Sequence, residues 1–359
     1  MLQLILFIFY IILLILISIG LLFIEFHKNI DDSLTENYEP ETLVMVPCRG
    51  MDFSLEDNLK SIKNQKYPKY RMICIVDSND DPSLEIIKRL NIDYVLSDYS
   101  CKKCSGKVKA LCSAIDKFNN FPVYVIADSD ILVTDNWLSN LVKPLKNENN
   151  GLSTTFPYFK PKNGFWSRIK EIWGFVGMGL MESKLTRFGW GGSLAFKGSL
   201  ISNQFNFFSE HISDDTALTK ICKNKNLNIA YVKSSMPVVN SPEKFSEFAE
   251  WANRQTALSI SSSKKIFYYG MLFYMSYILL FFSAIFMGIF YSYLFFIFLI
   301  PSIIYIANIL RRLDSIKFAS VIGAIMLPFI YVVNLLIANH MKNIQWRGRT
   351  YSIEDKNLL

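Results

Sequence analysis

The chain is predicted to be an α/β protein, a doubly wound sheet flanked by transmembrane helices, and three observations carry that prediction. Its 359 residues are 51% hydrophobic and only 19% charged, too apolar for an ordinary soluble enzyme. The apolar residues collect in long uncharged blocks near both ends of the chain. Between those blocks, short Val- and Ile-rich runs alternate with helix-like stretches, the pattern of parallel βαβ units.

The first block, from Leu2 to Ile24, has no charge, and about 20 apolar residues suffice to cross a bilayer as a helix. A cleaved signal peptide needs a basic start, a shorter apolar core and a small-residue cleavage site. None is present, so residues 1–27 are expected to be a retained anchor.

Residues 28–265 form the polar part, large enough for one domain with a substantial core. "TLVMVPC", "RMICIVD", "IDYVLSD", "VYVIADSD" and "IAYVKSS" read as strands, and "SLEDNLKSIKNQ", "DPSLEIIKRL" and "KVKALCSAIDKF" as helices. Ligands of such sheets bind beyond the carboxyl ends of the strands, where Asp77 and Asp128 fall. The stretch "FWSRIKEIWGFVGMGLM", near 164–181, reads either as an interfacial helix or as a core-packed one.

The block from Ile266 to Leu310 has no charge over about 67 Å of potential helix, more than twice the hydrocarbon thickness. Two crossings joined by a tight turn are expected there. A third apolar block, residues 318–338, carries Pro328 and could cross or be re-entrant. Lys28, Lys264, Lys265, Arg311, Arg312, Lys342, Arg347 and Arg349 flank these blocks, and positive flanks mark the cytosolic side. The expectation is a multi-pass integral membrane protein with its catalytic domain and its 339–359 tail on the cytosolic face.

Two classes are set aside on composition and spacing. The net charge of +7 comes from scattered lysines with no nucleic-acid motif, so anionic headgroups, not nucleic acid, are the expected partner. Cys101 and Cys104 in "CKKC" lack the second pair or histidines of a structural zinc site, and the remaining cysteines look like reduced core thiols.

Asp128 and Asp130, spaced i, i+2 at a strand end, point to one side and can jointly hold a hard divalent cation, Mn2+ or Mg2+. Two carboxylates beside so apolar a strand need a positive neighbour. Asp77 in "CIVDSNDD", Lys107 in "SGKVKAL", and Asp214 with Asp215 in "HISDDTALTK" complete an ordered set.

This set resembles glycosyltransferase family 2, and within it the ceramide glucosyltransferase branch, family 21, with its hopanoid-associated bacterial relatives. "VMVPCRGMDFSLEDNLKSIKNQKYPKY" is similar to that branch's opening strand and helix, and includes Pro47. "VDSNDDPSL" resembles its nucleotide-contacting stretch, which implies that Asp77 meets the base and ribose. The resemblance makes Lys107 a phosphate or nucleotide contact, Pro47 and Asp128 further cofactor contacts, and Asp128 with Asp130 the metal pair. It makes Asp215 the general base, with Asp214 beside it.

The family's Q/R-x-x-R-W motif is altered: "EFAEWANRQ" keeps Trp251, puts Glu247 and Glu250 where a polar or basic residue and then Arg are expected, and follows with Arg254. Arg254 is the candidate replacement cation. "IQWRGRTY" resembles the branch's closing "WRxGRY", which favours a re-entrant 318–338. The resemblance thus implies a GT-A-like domain that transfers a sugar from a UDP-sugar to a membrane lipid hydroxyl with inversion. The lipid could be ceramide, diacylglycerol or a hopanoid. A processive polysaccharide synthase of the same fold and a non-catalytic membrane scaffold are the alternatives.

Overall fold

The structure is a computed structural model that describes residues 2–32 and 37–353; residues 1, 33–36 and 354–359 of the expected anchor, domain and tail lie outside the described residues. The chain divides into two compact units: Asn29–Lys162, Leu180–Ser241 and Asn343–Leu359 form one, and Met1–Lys28, Asn163–Gly179 and Pro242–Lys342 the other. The expected 28–265 domain therefore contributes residues 163–179 and 242–265 to the unit of apolar helices.

Twelve strands lie among the described residues: β1 (Thr42–Cys48), β2 (Tyr70–Val76), β3 (Asp93–Leu96), β4 (Val123–Ala127), β5 (Ile131–Leu132), β6 (Asn150–Thr154), β7 (Tyr158–Pro161), β8 (Ser193–Lys197), β9 (Asn228–Tyr231), β10 (Val238–Ser241), β11 (Asn343–Trp346) and β12 (Arg349–Ser352). Seven form one sheet in the order β3-β2-β1-β4-β8-β6-β9. The half from β3 to β4 is parallel, with helices Leu55–Lys63, Ser83–Arg89 and Gly106–Lys117 following β1, β2 and β3. Leu43, Val44, Met45 and Val46 of β1 and Val123, Val125 and Ile126 of β4 are fully buried, as continuous apolar runs are when a sheet is covered on both faces. Each such side chain stabilises the fold by about 1.5–3 kcal/mol.

The other half carries an antiparallel strand. β8 runs antiparallel to both β4 and β6, so the sheet is mixed, and "IAYVKSS" enters as the edge strand β9, parallel to β6. β10 lies between β5 and β7 in a small second sheet, and β11 with β12 form a hairpin. Cys101 and Cys104 are joined as a disulfide, a pairing that the spacing alone did not reveal, whereas Cys48, Cys74, Cys112 and Cys222 are free and buried.

In the second unit four helices among the described residues are long and apolar enough to cross a membrane: Phe7–Phe26, Lys264–Phe290, Tyr293–Leu310 and Phe318–His340. The expected turn falls at Tyr291 and Ser292, where the Ser292 hydroxyl accepts from Leu294 N. The predicted 164–181 stretch is the helix Phe165–Glu182. Its Ile169 and Ile172 pack on Gly323, and its Trp173 stacks on Tyr331 at 5.2 Å and donates to Asn334 Oδ1. These contacts are those of a packed helix.

Candidate active site

Strand ends bring the acidic residues together. Asp77 follows β2 and Asp128 follows β4, both at carboxyl ends of parallel strands, while Pro47 sits near the end of β1 opposite Ile75. Asp128 is fixed through its backbone, its N donating to Gly192 O at 3.0 Å. The positive neighbour that the acidic pair requires is Lys107, in the first turn of the Gly106–Lys117 helix, whose Ser105 cap accepts from Val108 N.

Lys107 is deeply enclosed. Its Nζ lies 2.7 Å from Asp128 Oδ1 and 3.3 Å from Asp214 Oδ2, and donates to Gly191 O at 3.0 Å. The Gly191 carbonyl accepts from the ammonium, whereas Asp214 Oδ2 has no hydrogen-bond partner and meets Lys107 as an ion pair only. Burial alone would lower this ammonium's pKa, but Asp128 and Asp214 beside it outweigh burial and hold it above its ordinary value. Burial pushes the Asp214 carboxyl up to about 6 against the pull of Lys107, with Asp215 adding to the rise. The backbone at Gly191 makes this packing possible, because a Cβ there would strike Asp214 Oδ2 and lie 3.0 Å from Lys107 Nζ.

Asp215 is less buried than Asp214 and differently held. Both open the Asp214–Asn224 helix, where negative charge suits the helix dipole. Asp215 Oδ1 accepts from the Ser213 hydroxyl and from Thr216 N at 2.7 Å, and Oδ2 accepts from Gly191 N at 3.3 Å. Those bonds fix the carboxylate in one orientation.

The outer rim joins two tail arginines that the sequence does single out, Arg347 and Arg349, to Arg49 and Asp52, which it does not. Arg49 Nε lies 3.3 Å from Asp77 Oδ2, and Arg349 Nη2 donates to the same oxygen at 2.9 Å. Asp52, inside "CRGMD", accepts from Ser129 Oγ at 2.5 Å and pairs with Arg347. The only available signal was the "WRGR" turn, because nothing in strand and helix periodicity links residues so distant in sequence.

Trp251 and Arg254 lie on the Phe245–Ser262 helix, which belongs to the other compact unit. There the Trp251 ring meets Trp173 at 4.8 Å and carries Lys170 Nζ at 4.7 Å from its centroid.

Asp128 and Asp130 offer hard carboxylate oxygens, a donor set that suits Mn2+ or Mg2+. Among the described residues no three His, Cys, Asp or Glu side chains cluster as a protein-only metal site. The pair therefore fits a cation whose shell is completed by substrate oxygens and water.

A mixed sheet with a parallel βαβ half, and carboxylates gathered at its strand ends, is the arrangement of GT-A glycosyltransferases. Mannosyltransferase PcManGT from Pyrobaculum calidifontis, solved in complex with GDP-Man and Mn2+, shares this fold at a TM-score of 0.56 and 15% identity, over 92% of this chain and 94% of that one. The profile of glycosyl transferase family 21 matches residues 10–359, and the chain belongs to that family. Ceramide glucosyltransferase 3 of Caenorhabditis elegans is 25% identical over 158 residues, which are 41% of this chain and 32% of that protein.

Proposed function

We propose that the protein is a membrane-bound, metal-dependent inverting glycosyltransferase that moves a sugar, glucose by resemblance, from a UDP-sugar to the hydroxyl of a membrane lipid such as ceramide, diacylglycerol or a related lipid. The observation that carries this is the Lys107 cluster with Asp128 and Asp214, beside Asp215 on Gly191 N and with Asp77 and Asp128 at the carboxyl ends of parallel strands, in a chain whose described residues include four apolar helices of spanning length. Family membership and the ceramide glucosyltransferase relative support the sugar and the lipid.

Asp77 reads the nucleoside, and Asp128 with Asp130 would hold Mn2+ or Mg2+. The chemistry supplied by the bound ion is neutralisation of the leaving diphosphate. Lys107 holds Asp128 in place. Asp215, oriented by Ser213, Thr216 and Gly191, takes the proton from the acceptor hydroxyl as its oxygen attacks the anomeric carbon opposite the leaving group. A single displacement of that kind inverts the anomeric centre. Trp251 and Arg254 are assigned to the acceptor.

Topology supports a tail on the same side as the catalytic domain. The β11–β12 hairpin belongs to the catalytic unit, so the chain between residues 265 and 343 must cross the bilayer an even number of times. Two crossings by Lys264–Phe290 and Tyr293–Leu310 satisfy that parity if Phe318–His340 is re-entrant.

Purified protein in lipid, supplied with Mn2+ and radiolabelled UDP-glucose or GDP-mannose, tests the reading. Label extracted into chloroform with ceramide or diacylglycerol supports it. Alcohol-insoluble label would identify a polysaccharide synthase instead, and absence of transfer from both donors would leave a scaffold.

A further inference from the structure

The C-terminal hairpin ends in a two-residue loop between Trp346 and Arg349, with Arg347 at φ 51° and Gly348 at φ 72°. Such a turn needs positive φ at both positions and favours Asn-Gly or Asp-Gly. Gly348 adopts it freely, whereas an arginine at 347 is held in a region that L side chains avoid. A residue kept at a costly position points to a use for its side chain.

That side chain faces the acidic pair. Arg347 Nη2 donates to Asp52 Oδ1, and Nη1 donates to Arg49 O at 3.2 Å. The other Asp52 oxygen accepts from Ser129, the residue between Asp128 and Asp130. Asp130 and Asp128 also lie near enough to act on the guanidinium electrostatically. The hairpin is seated independently: Gly106 N donates to Tyr351 Oη at 3.0 Å, Arg349 donates to Asp77, and a Cβ on Gly106 would strike the Arg349 guanidinium.

The site's cations are not equally available. Lys107 is ion-paired to Asp128 and Asp214, donates to Gly191 O, and has a side chain only 10% exposed. Arg49 and Arg349 both lean on Asp77. Arg347 uses two of its five N–H donors, its side chain is 39% exposed, and a guanidinium fork matches phosphate oxygens.

We propose that Arg347 is the cation that grips the diphosphate of the nucleotide-sugar donor, presented by the C-terminal hairpin and oriented by Asp52. The assignment rests on the donor reading above. Three remaining N–H donors let Arg347 bridge Asp52 and the β-phosphate without giving up either protein contact.

Calorimetry on the full chain in detergent, with Mn2+ and UDP or UMP, and GDP or GMP in parallel, tests it. Arg347→Ala is expected to weaken the diphosphate that the wild type binds by about tenfold to a hundredfold, with the monophosphate changed less than about threefold. Arg347→Lys, which keeps the charge and loses the fork, should show a smaller loss of the same selectivity, and it carries the test if the alanine variant does not fold. Unchanged diphosphate affinity overturns the proposal and leaves the donor reading standing. Equal losses for diphosphate and monophosphate overturn it in favour of a purely structural strap. A wild type that binds neither diphosphate overturns the donor reading together with the proposal.

Discussion

The inner and outer halves of the site are built on opposite terms. Inside, Lys107, Asp128 and Asp214 meet around Gly191, with the lysine side chain 10% exposed and that of Asp214 4%. Outside, Asp77 has two cations, Arg49 and Arg349, and all three side chains are partly exposed. A buried cluster without spare partners is intolerant of change, because any loss strands a charge in low dielectric. A solvated rim with duplicate partners can exchange them when a ligand arrives. The contrast separates residues that hold the site's shape from those that meet a substrate.

The largest effect should come from breaking the inner cluster. Lys107→Met strands Asp128 and Asp214, and should cost about 3–5 kcal/mol of stability, with transfer lost. Adding Asp214→Asn removes one stranded charge, so the double variant should recover part of that loss in a denaturant titration. A double variant less stable than Lys107→Met would show that Asp214 is held by something other than its charge.

Asp215→Asn comes next. It preserves shape but keeps one acceptor oxygen where two now serve Thr216 N and Gly191 N, and it cannot take a proton, so kcat should fall about a hundredfold or more with donor affinity unchanged. Transfer within a few-fold of wild type would move the base elsewhere, with Asp214 the first residue to test.

Asp214 also gives the inner cluster a pH signature. Its folded pKa, about 6, lies above the ordinary 3.8, so its contribution to stability is fully present below about 3.8 and lost as pH rises through about 6. Between pH 4 and 7 the wild type should lose on the order of 2 kcal/mol relative to Asp214→Asn. Parallel stability curves for the two proteins would show that the carboxyl is not shifted.

Much of the inner half was legible in the sequence. Val- and Ile-rich runs give β1, β2 and β4 directly, and a carboxylate after such a run must sit at a strand end, so Asp77 and Asp128 followed from local pattern. Even the need for a positive neighbour followed from the cost of burying charge, and Lys107 meets it. β8 was illegible because "SLAF" carries no signal of strand direction, and β5 is only two residues long. The rim was illegible for a different reason. Arg347 and Asp52 are separated by 295 positions, and their pairing depends on which side of the bilayer the tail returns to. No local periodicity encodes that.

The smallest effect is expected on the rim, and it tests the duplication itself. Exposed ion pairs contribute about 0–1 kcal/mol, so Arg49→Ala or Arg349→Ala alone should barely move stability. Either leaves Asp77 one cation, Arg349 at 2.9 Å or Arg49 at 3.3 Å, and the carboxylate keeps its place. The double variant leaves Asp77 without either of its guanidinium partners. Its loss of UDP affinity should therefore exceed the sum of the single losses, a coupling of about 0.5 kcal/mol or more in a double-mutant cycle. Arg349→Ala should be the larger single loss, since it also unseats the hairpin that carries Arg347. Strict additivity would mean that the two arginines do not substitute for one another, and that the outer half is assembled on the same unforgiving terms as the inner one.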